Sequence, residues 1–175
     1  AGKLREADAK LLRSVEICRR RGLTGPLVTD LTWLGAHAGW RGEYRPAIDY
    51  AGEASRLAAS IHEGFYELVS LCFLCNAHAG LGQWDVAFEF LDQVRQKSRD
   101  RENKYGIARS MNTAGWLHQQ LGDLRHSLEL NREYDVESAL DDISAMSDSA
   151  VHGSLQSGTL KIKPIRRTYS SATLP

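Results

Sequence analysis

Three residues of the kinds that ligate metals or act as nucleophiles lie within two turns of one predicted helix: Cys72, Cys75 and His78. Thiol and imidazole groups at this spacing could take part in a zinc site or in a cysteine–histidine nucleophilic pair. Structural zinc normally draws on a turn or loop so that four ligands converge, and no oxyanion hole or orienting third group is indicated for catalysis. We therefore predict no metal site, no cofactor and no catalytic residue.

The remaining sequence carries none of the usual signatures of an active site. It has no glycine-rich phosphate loop, paired-carboxylate site or nucleotide-binding fingerprint. One run of basic residues comprises Arg95, Lys97, Arg99, Arg101 and Lys104. Because Asp100 and Glu102 interrupt this run and no aromatic residues alternate with it for base stacking, we interpret it as a solvated turn. We expect the chain to be neither an enzyme nor a nucleic-acid-binding protein.

The composition gives no global attraction to a polyanion or a membrane. The 175 residues include 22 basic and 22 acidic side chains, whose charges cancel. No run of about 18 apolar residues occurs, and the basic amphipathic segment 2–21 lacks the apolar centre of a secretory signal. Three cysteines without framework spacing indicate a reducing compartment. The predicted location is the cytoplasm, with no membrane partner.

A repeated glycine pattern organises the chain. Gly42, Gly82 and Gly122 follow one another at a constant interval (82 − 42 = 40 and 122 − 82 = 40). Each is followed by a large apolar residue two places on and by a small residue five places on. These pairs are Tyr44 and Ala47, Trp84 and Ala87, and Leu124 and Ser127. A period in this range indicates stacked supersecondary units rather than one closed core.

Before each glycine, apolar and small residues recur at intervals of three and four, which is the spacing of one helix face. These positions are Leu31, Leu34, Gly35 and Ala38, then Leu71, Leu74, Cys75 and His78, then Met111, Ala114, Gly115 and His118. Glycine inside a helix costs about 1 kcal/mol relative to alanine, so Gly35 and Gly115 imply a close approach of the partner helix. Cys75 stands at the equivalent position and is interpreted as a small packed residue.

We predict an all-α domain over residues 1–140, with a half repeat (1–22) and three repeats (about 26–62, 64–100 and 103–140). The predicted helices lie near 3–21, 26–41, 44–61, 64–81, 84–99, 103–121 and 124–140. Residues 141–175 are rich in Ser, Gly and Thr and are predicted to form an irregular basic tail. In an alternative interpretation, residues 159–165 lie extended along the last, acidic helices.

These motifs resemble the tetratricopeptide repeat. The residues that carry the resemblance are Leu31, Leu34, Gly35, Ala38, Gly42, Tyr44, Ala47, Ala51 and Ala54. The second repeat departs from the pattern at Cys75 and His78. The long repeat is similar to the variant found in sensor regions of bacterial signalling ATPases and of maltose-regulator-like transcription activators, whereas the usual repeat has about 34 residues. The resemblance implies a right-handed superhelical solenoid of antiparallel helix pairs.

The resemblance also implies a concave groove lined by the first helix of each repeat. Projecting the register places small, polar and aromatic residues there: Thr32, Ala36, Trp40, Cys72, Asn76, Asn112, Trp116 and Gln120. The two tryptophans would bury an apolar anchor while the amides hydrogen-bond the partner backbone. No lysine or arginine falls at these positions, which argues against the carboxylate clamp of chaperone-binding members. The alternative is that both tryptophans only fill gaps between repeats.

The predicted function is non-catalytic binding of a peptide or partner domain in this groove, within a larger regulatory protein. The alternative is a small-molecule effector-sensing region of a bacterial signalling ATPase or transcription regulator. Self-association is a further hypothesis, because the first helix lacks its partner. Its apolar face, expected to be exposed, consists of Leu4, Ala7, Leu11 and Val15.

Overall fold

The computed structural model describes residues 2–133, and all regular structure in this part of the chain is helical. The helices are α1 (Gly2–Arg21), α2 (Thr24–Trp40), α3 (Tyr44–Ser60), α4 (Gly64–Gly80), α5 (Trp84–Asp100), α6 (Lys104–Gln120) and α7 (Leu124–Glu133). The predicted all-α class is confirmed for these residues. The end of the predicted helix 124–140 and the predicted tail 141–175 lie outside the described residues.

Successive helices from α2 onward begin at half of the 40-residue interval that separates Gly42, Gly82 and Gly122. Each helix from α2 to α6 has 17 residues, and three-residue turns separate them. Each turn has one residue with a positive φ: the first residue of the two-residue turn between α1 and α2 (position 22) and the middle residue of the three-residue turns (positions 42, 62, 82, 102 and 122). Four of these six residues are glycine, whereas His62 and Glu102 adopt the same left-handed conformation with a side chain. Because those two turns lack glycine, the glycine repeat marks only every second turn, although the predicted helix boundaries include all of them.

Each turn follows the Schellman pattern of helix termination. In the first repeat, the Glu43 N–H donates to the Ala38 carbonyl at 2.9 Å and the Gly42 N–H donates to the Gly39 carbonyl at 3.0 Å. The equivalent bonds recur at His62 and Glu63, at 3.2 and 2.8 Å. These bonds satisfy carbonyls that a helix end leaves unpaired. The next helix is thereby reversed and packs against the preceding one.

Packing between the helices is not symmetrical. Every helix contacts the next one along the chain, and α2 also contacts α4, which contacts α6. Among the described residues, the odd-numbered helices make no comparable contacts with one another. The even-numbered helices therefore form one continuous layer.

Small residues allow the close approach of α2 and α3. A Cβ atom on Gly35 would lie 3.1 Å from the Ala51 backbone nitrogen, and Ala51 is fully buried. Gly115 meets Asn131 in the same way, with the Asn131 Nδ2 atom 2.6 Å from a Cβ built on that glycine. The predicted packing role of both glycines is confirmed. Cys75, at the equivalent position, is fully buried as well.

The first helix is covered by α2. Val15 is 5% exposed and belongs to a core cluster with Leu27 and Leu31, against which Leu11 packs. The expectation that this whole face of α1 is exposed is therefore wrong, because the following helix supplies the missing partner. Self-association of the chain remains a hypothesis. None of the helices in the described part of the chain combines the length and the apolar character needed to cross a bilayer.

The basic run contains an ion-pair cluster. Glu67 of α4 is 3% exposed, and its carboxylate lies 2.8 Å from the Lys97 ammonium and 2.7 Å from the Arg101 guanidinium. The interpretation of the run as a solvated turn holds in part: Lys97 and Arg101 keep considerable solvent exposure, but they lie one helical turn apart and both pair with Glu67 of α4. Burial raises the pKa of the Glu67 carboxyl, but the hydrogen bonds from the two cations outweigh it and hold that pKa below its usual value.

We expect Glu67→Gln to lower the free energy of unfolding at pH 7 by about 1.5–3 kcal/mol, because the amide keeps only one acceptor oxygen and removes the negative charge that faces two cations. The folded-state pKa of Glu67 is lowered, so this stabilisation is present above the ordinary carboxyl pKa of about 4.3 and is lost as the pH falls through the folded pKa. Urea denaturation at pH 7 and pH 3 measures both effects. Glu89→Gln, at an exposed position of α5, is the matched control. An equal loss in both variants would contradict the prediction.

We expect substitutions in two of the turns to change the free energy of unfolding in opposite directions. Glu102→Gly relieves a left-handed backbone conformation and should raise the free energy of unfolding by about 0.5–1 kcal/mol. Gly82→Ala should lower it by about 1 kcal/mol. No atom lies within 4 Å of a Cβ placed on Gly82, so the loss would report backbone strain alone. Thermal and urea denaturation measure these changes, and destabilisation by both substitutions would contradict the assignment of strain to Glu102.

Candidate functional site

A cleft of about 400 Å³ runs along the layer of even-numbered helices. Residues of α2, α4 and α6 line it, and Tyr44 of α3 and Asn131 of α7 complete its walls. Five of the predicted groove residues line the cleft: Ala36, Trp40, Asn76, Asn112 and Trp116. The repeat register thus brings residues from three helices to one surface. It is an open cleft rather than a sealed cavity.

Three predicted groove residues do not line the cleft. Thr32 is fully buried, and its Oγ1 atom donates to the Val28 carbonyl at 2.8 Å and lies 2.9 Å from the Ser70 Oγ atom of α4. Cys72 is also fully buried, and Gln120 is exposed elsewhere on the surface. The prediction that Thr32 and Cys72 present a surface to a partner is therefore wrong. Both lie where neighbouring even-numbered helices approach one another. Their side chains are therefore buried in the contact between helices and are not available to a partner.

The two tryptophans give the cleft accessible aromatic surface. Trp40 is 63% exposed and Trp116 is 37% exposed. The Trp40 ring lies 5.4 Å from the His37 ring, and the His37 Nδ1 atom lies 2.6 Å from an Asp8 carboxylate oxygen of α1. Arg41 pairs with the same carboxylate. The end of α2 that carries Trp40 is thus fixed by ionic contacts to α1.

The cleft is also lined by a cation, Arg109, which was not among the predicted groove residues. Arg109 of α6 is half-buried, and its Nε atom is buried with no hydrogen-bond partner among the described residues. The projection began at Asn112 and followed steps of four, so it omitted the residue three places earlier on the same helix face. The predicted groove positions themselves contain no lysine or arginine, but the cleft also includes Arg109, which those positions left out. The spacing of Arg109, Asn112 and Trp116 was the signal that could have found it.

A second buried polar atom in the cleft is also unpaired. The Oδ1 atom of Asn76 is buried and has no hydrogen-bond partner in the described part of the chain. About 90% or more of buried polar groups in proteins are hydrogen-bonded, so unpaired groups call for an explanation. Asn76 and Arg109 together offer a hydrogen-bond acceptor and a charged donor toward the cleft. A bound molecule could satisfy both.

The cleft is lined mainly by uncharged side chains. Among the described residues that line it, only Arg109 and Tyr44 have ionisable side chains, and none has a carboxylate. The walls otherwise consist of amides, aromatic rings and small residues. The Arg109 guanidinium favours a carboxylate or carbonyl oxygen as its partner.

The cysteine–histidine motif is dispersed by the fold. Cys72 and Cys75 are buried free thiols, whereas the His78 Nδ1 atom lies 2.7 Å from the Gln83 side-chain oxygen. Burial raises the pKa of the Cys72 thiol and raises the pKa of Cys75 to about 12. Neither thiol has the character of a nucleophile or metal ligand. The described residues bring metal-ligating atoms together elsewhere, at the turn between α6 and α7 (His118, Asp123 and His126).

No protein-family profile, curated protein sequence or solved structure matches this chain. The class of protein must therefore be inferred from the repeat and from the cleft.

We expect the thiols of the folded protein to react with Ellman's reagent at pH 8 at least ~100-fold more slowly than those of the urea-unfolded chain. The reason is burial, since Cys18, Cys72 and Cys75 are all at most 4% exposed. The release of thionitrobenzoate measures the rate. Ala59→Cys, at an exposed position of α3, should add one fast thiol. Rapid reaction of Cys72 or Cys75 in the folded wild type would contradict the placement of these residues.

Proposed function

We propose that this chain is a helical-repeat protein of the tetratricopeptide type that binds a peptide or partner domain in its cleft and has no catalytic activity of its own. The observation that carries the proposal is the cleft itself. Two accessible tryptophans flank a buried guanidinium nitrogen and a buried amide oxygen that lack partners. This combination suits a ligand with an apolar group and hydrogen-bonding oxygens.

The helix contacts support a superhelical architecture within this proposal. Contacts of α2 with α4 and of α4 with α6, without comparable contacts between odd-numbered helices among the described residues, support a curved stack with the even-numbered helices on its inner side. The cleft lies on that side. In the proposed right-handed solenoid it is a stretch of the concave groove, and further repeats would lengthen the groove.

The binding mode follows from the chemistry of the walls. An aromatic or aliphatic side chain of the partner packs between Trp40 and Trp116. A carboxylate or backbone carbonyl of the partner accepts from Arg109, and Asn112, which is exposed, hydrogen-bonds the partner backbone. A reducing, cytoplasmic location is part of the proposal, supported by three buried free thiols.

The size of the cleft supports a second candidate function. Pockets for small molecules usually have volumes of about 300–1,000 Å³, and the cleft has about 400 Å³. In this alternative the chain is the effector-sensing region of a bacterial signalling ATPase or transcription regulator. The same tryptophans and Arg109 would then bind an aromatic carboxylate.

A random peptide library displayed on phage, selected on the immobilised protein, tests the proposal. We expect selected peptides to contain an aromatic or aliphatic anchor, and the double variant Trp40→Ala/Trp116→Ala to bind them at least about 30-fold more weakly. Fluorescence anisotropy with a labelled selected peptide measures the affinity. Trp33→Ala is the matched control, because Trp33 is 41% exposed on α2 and does not line the cleft.

Equal affinity of the double variant and the wild type, with helicity intact by circular dichroism, would overturn the groove proposal. Failure to select any peptide, together with thermal stabilisation by indole-3-acetate or phenylacetate, would instead favour the effector-sensing function. Stabilisation that persists in Arg109→Gln would contradict the proposed carboxylate contact.

A further inference from the structure

The turn between α6 and α7 brings together three side chains that commonly bind metals. His118 lies in the last turn of α6, Asp123 immediately precedes α7, and His126 lies in the first turn of α7. The Asp123 Oδ2 atom is 3.5 Å from the Nδ1 atom of each histidine. One ligand atom from each of the three residues lies within 4.8 Å of the others.

The local backbone fixes this arrangement. The Asp123 N–H donates to the His118 carbonyl at 2.9 Å, in the turn that has Gly122 in the left-handed conformation. The Oδ1 atom of Asp123 accepts from the His126 N–H at 3.2 Å, which is a helix N-cap contact. One carboxylate oxygen is therefore occupied by the cap, and the other is directed toward the two imidazoles.

The imidazole rings are also held close together. The His118 and His126 rings lie 4.8 Å apart at an angle of 15°, and Phe88 of α5 packs edge-on against His118 at 5.7 Å. His118 is thus supported by the packed interior, while His126 and Asp123 remain accessible to solvent. An ion could reach the site without opening the fold.

We propose that His118, Asp123 and His126 form a zinc-binding site. Two ligands about 2.0–2.1 Å from a tetrahedral zinc ion are about 3.3–3.4 Å apart, close to the observed carboxylate–imidazole separations. Nitrogen and carboxylate ligands of this kind suit zinc better than calcium or magnesium, which prefer oxygen ligands throughout. A water molecule takes the fourth position.

The other repeats provide an internal comparison. The equivalent positions are Ala38, Glu43 and Pro46 in the first repeat and His78, Gln83 and Val86 in the second. Only the third repeat has three ligating groups at these positions. The site is therefore a feature of this turn rather than of the repeat.

The site joins the two helices that form one end of the cleft. Gln119 follows His118 in α6, and Asn131 lies in α7 beyond His126; both line the cleft. A zinc ion at the turn cross-links α6 and α7 and so fixes the position of these two walls.

Isothermal titration of zinc chloride into the tag-free, chelator-treated full chain tests the site. We expect one zinc ion per chain, and at least about a 10-fold loss of affinity in Asp123→Asn and in His126→Ala. Asparagine keeps the helix cap, so Asp123→Asn should leave the apo stability unchanged. Zinc at 100 times its dissociation constant should raise the melting temperature by about 5–10 °C. His78→Ala, the matched control, should bind zinc like the wild type.

Absence of saturable zinc binding to the wild type would overturn the proposal. So would unchanged affinity in both Asp123→Asn and His126→Ala, because the ion would then be held elsewhere in the chain. Absorption bands of tetrahedral cobalt(II) in the wild type, lost in His126→Ala, would identify the ligands independently of stability.

Discussion

The left-handed residue in each turn is the constraint on which the rest of the structure depends. It ends α2 to α6 after the same number of residues and reverses the chain with a fixed pair of hydrogen bonds. Because α2 to α6 have equal lengths, residues separated by two helices occupy equivalent faces. A change in the length of one helix would rotate every later face relative to the cleft. The cleft and the zinc-binding turn both depend on this register.

Buried polar contacts link α4 to the helices on either side of it in the packing. The Thr32–Ser70 contact joins α2 to α4, and Glu67 joins α4 to two cations of α5. A buried carboxylate is costly unless it is paired and hydrogen-bonded. Glu67 therefore specifies which turn of α5 lies against α4, whereas the surrounding alanines and leucines could pack in several registers. These contacts explain why the layer can be continuous without a large aromatic core.

The cleft and the α6–α7 turn are linked through shared helices. Arg109, Asn112 and Trp116 lie on one face of α6, and His118 lies beyond them at the end of the same helix. Asn131 of α7 fills the space above Gly115, where a Cβ atom would collide with it. The position of α7 therefore affects both the packing of α6 and the end of the cleft. Ligand binding and zinc binding should influence each other through this helix pair.

Sequence by itself determined the helices, their turns and the positions of close packing. Gly42, Gly82 and Gly122 mark turns through their backbone freedom, and Gly35 and Gly115 mark close approach because they stand inside apolar helices. These are local effects, so a single sequence records them. Trp40, Asn76 and Trp116 could be assigned to one surface for the same reason, since the repeat is regular.

Only the tertiary structure decided which side of each helix is buried and which distant groups meet. Thr32 and Cys72 belong to the same sequence register as the cleft residues, but the neighbouring even-numbered helix covers them. Lys97 and Arg101 reach Glu67 because of helix orientations that no local pattern records, whereas Arg109 shares a helix face with Asn112 and Trp116. His118, Asp123 and His126 come together because Gly122 reverses the chain between two helix ends. Distances between side chains on different helices depend on packing, and packing is a property of the whole array.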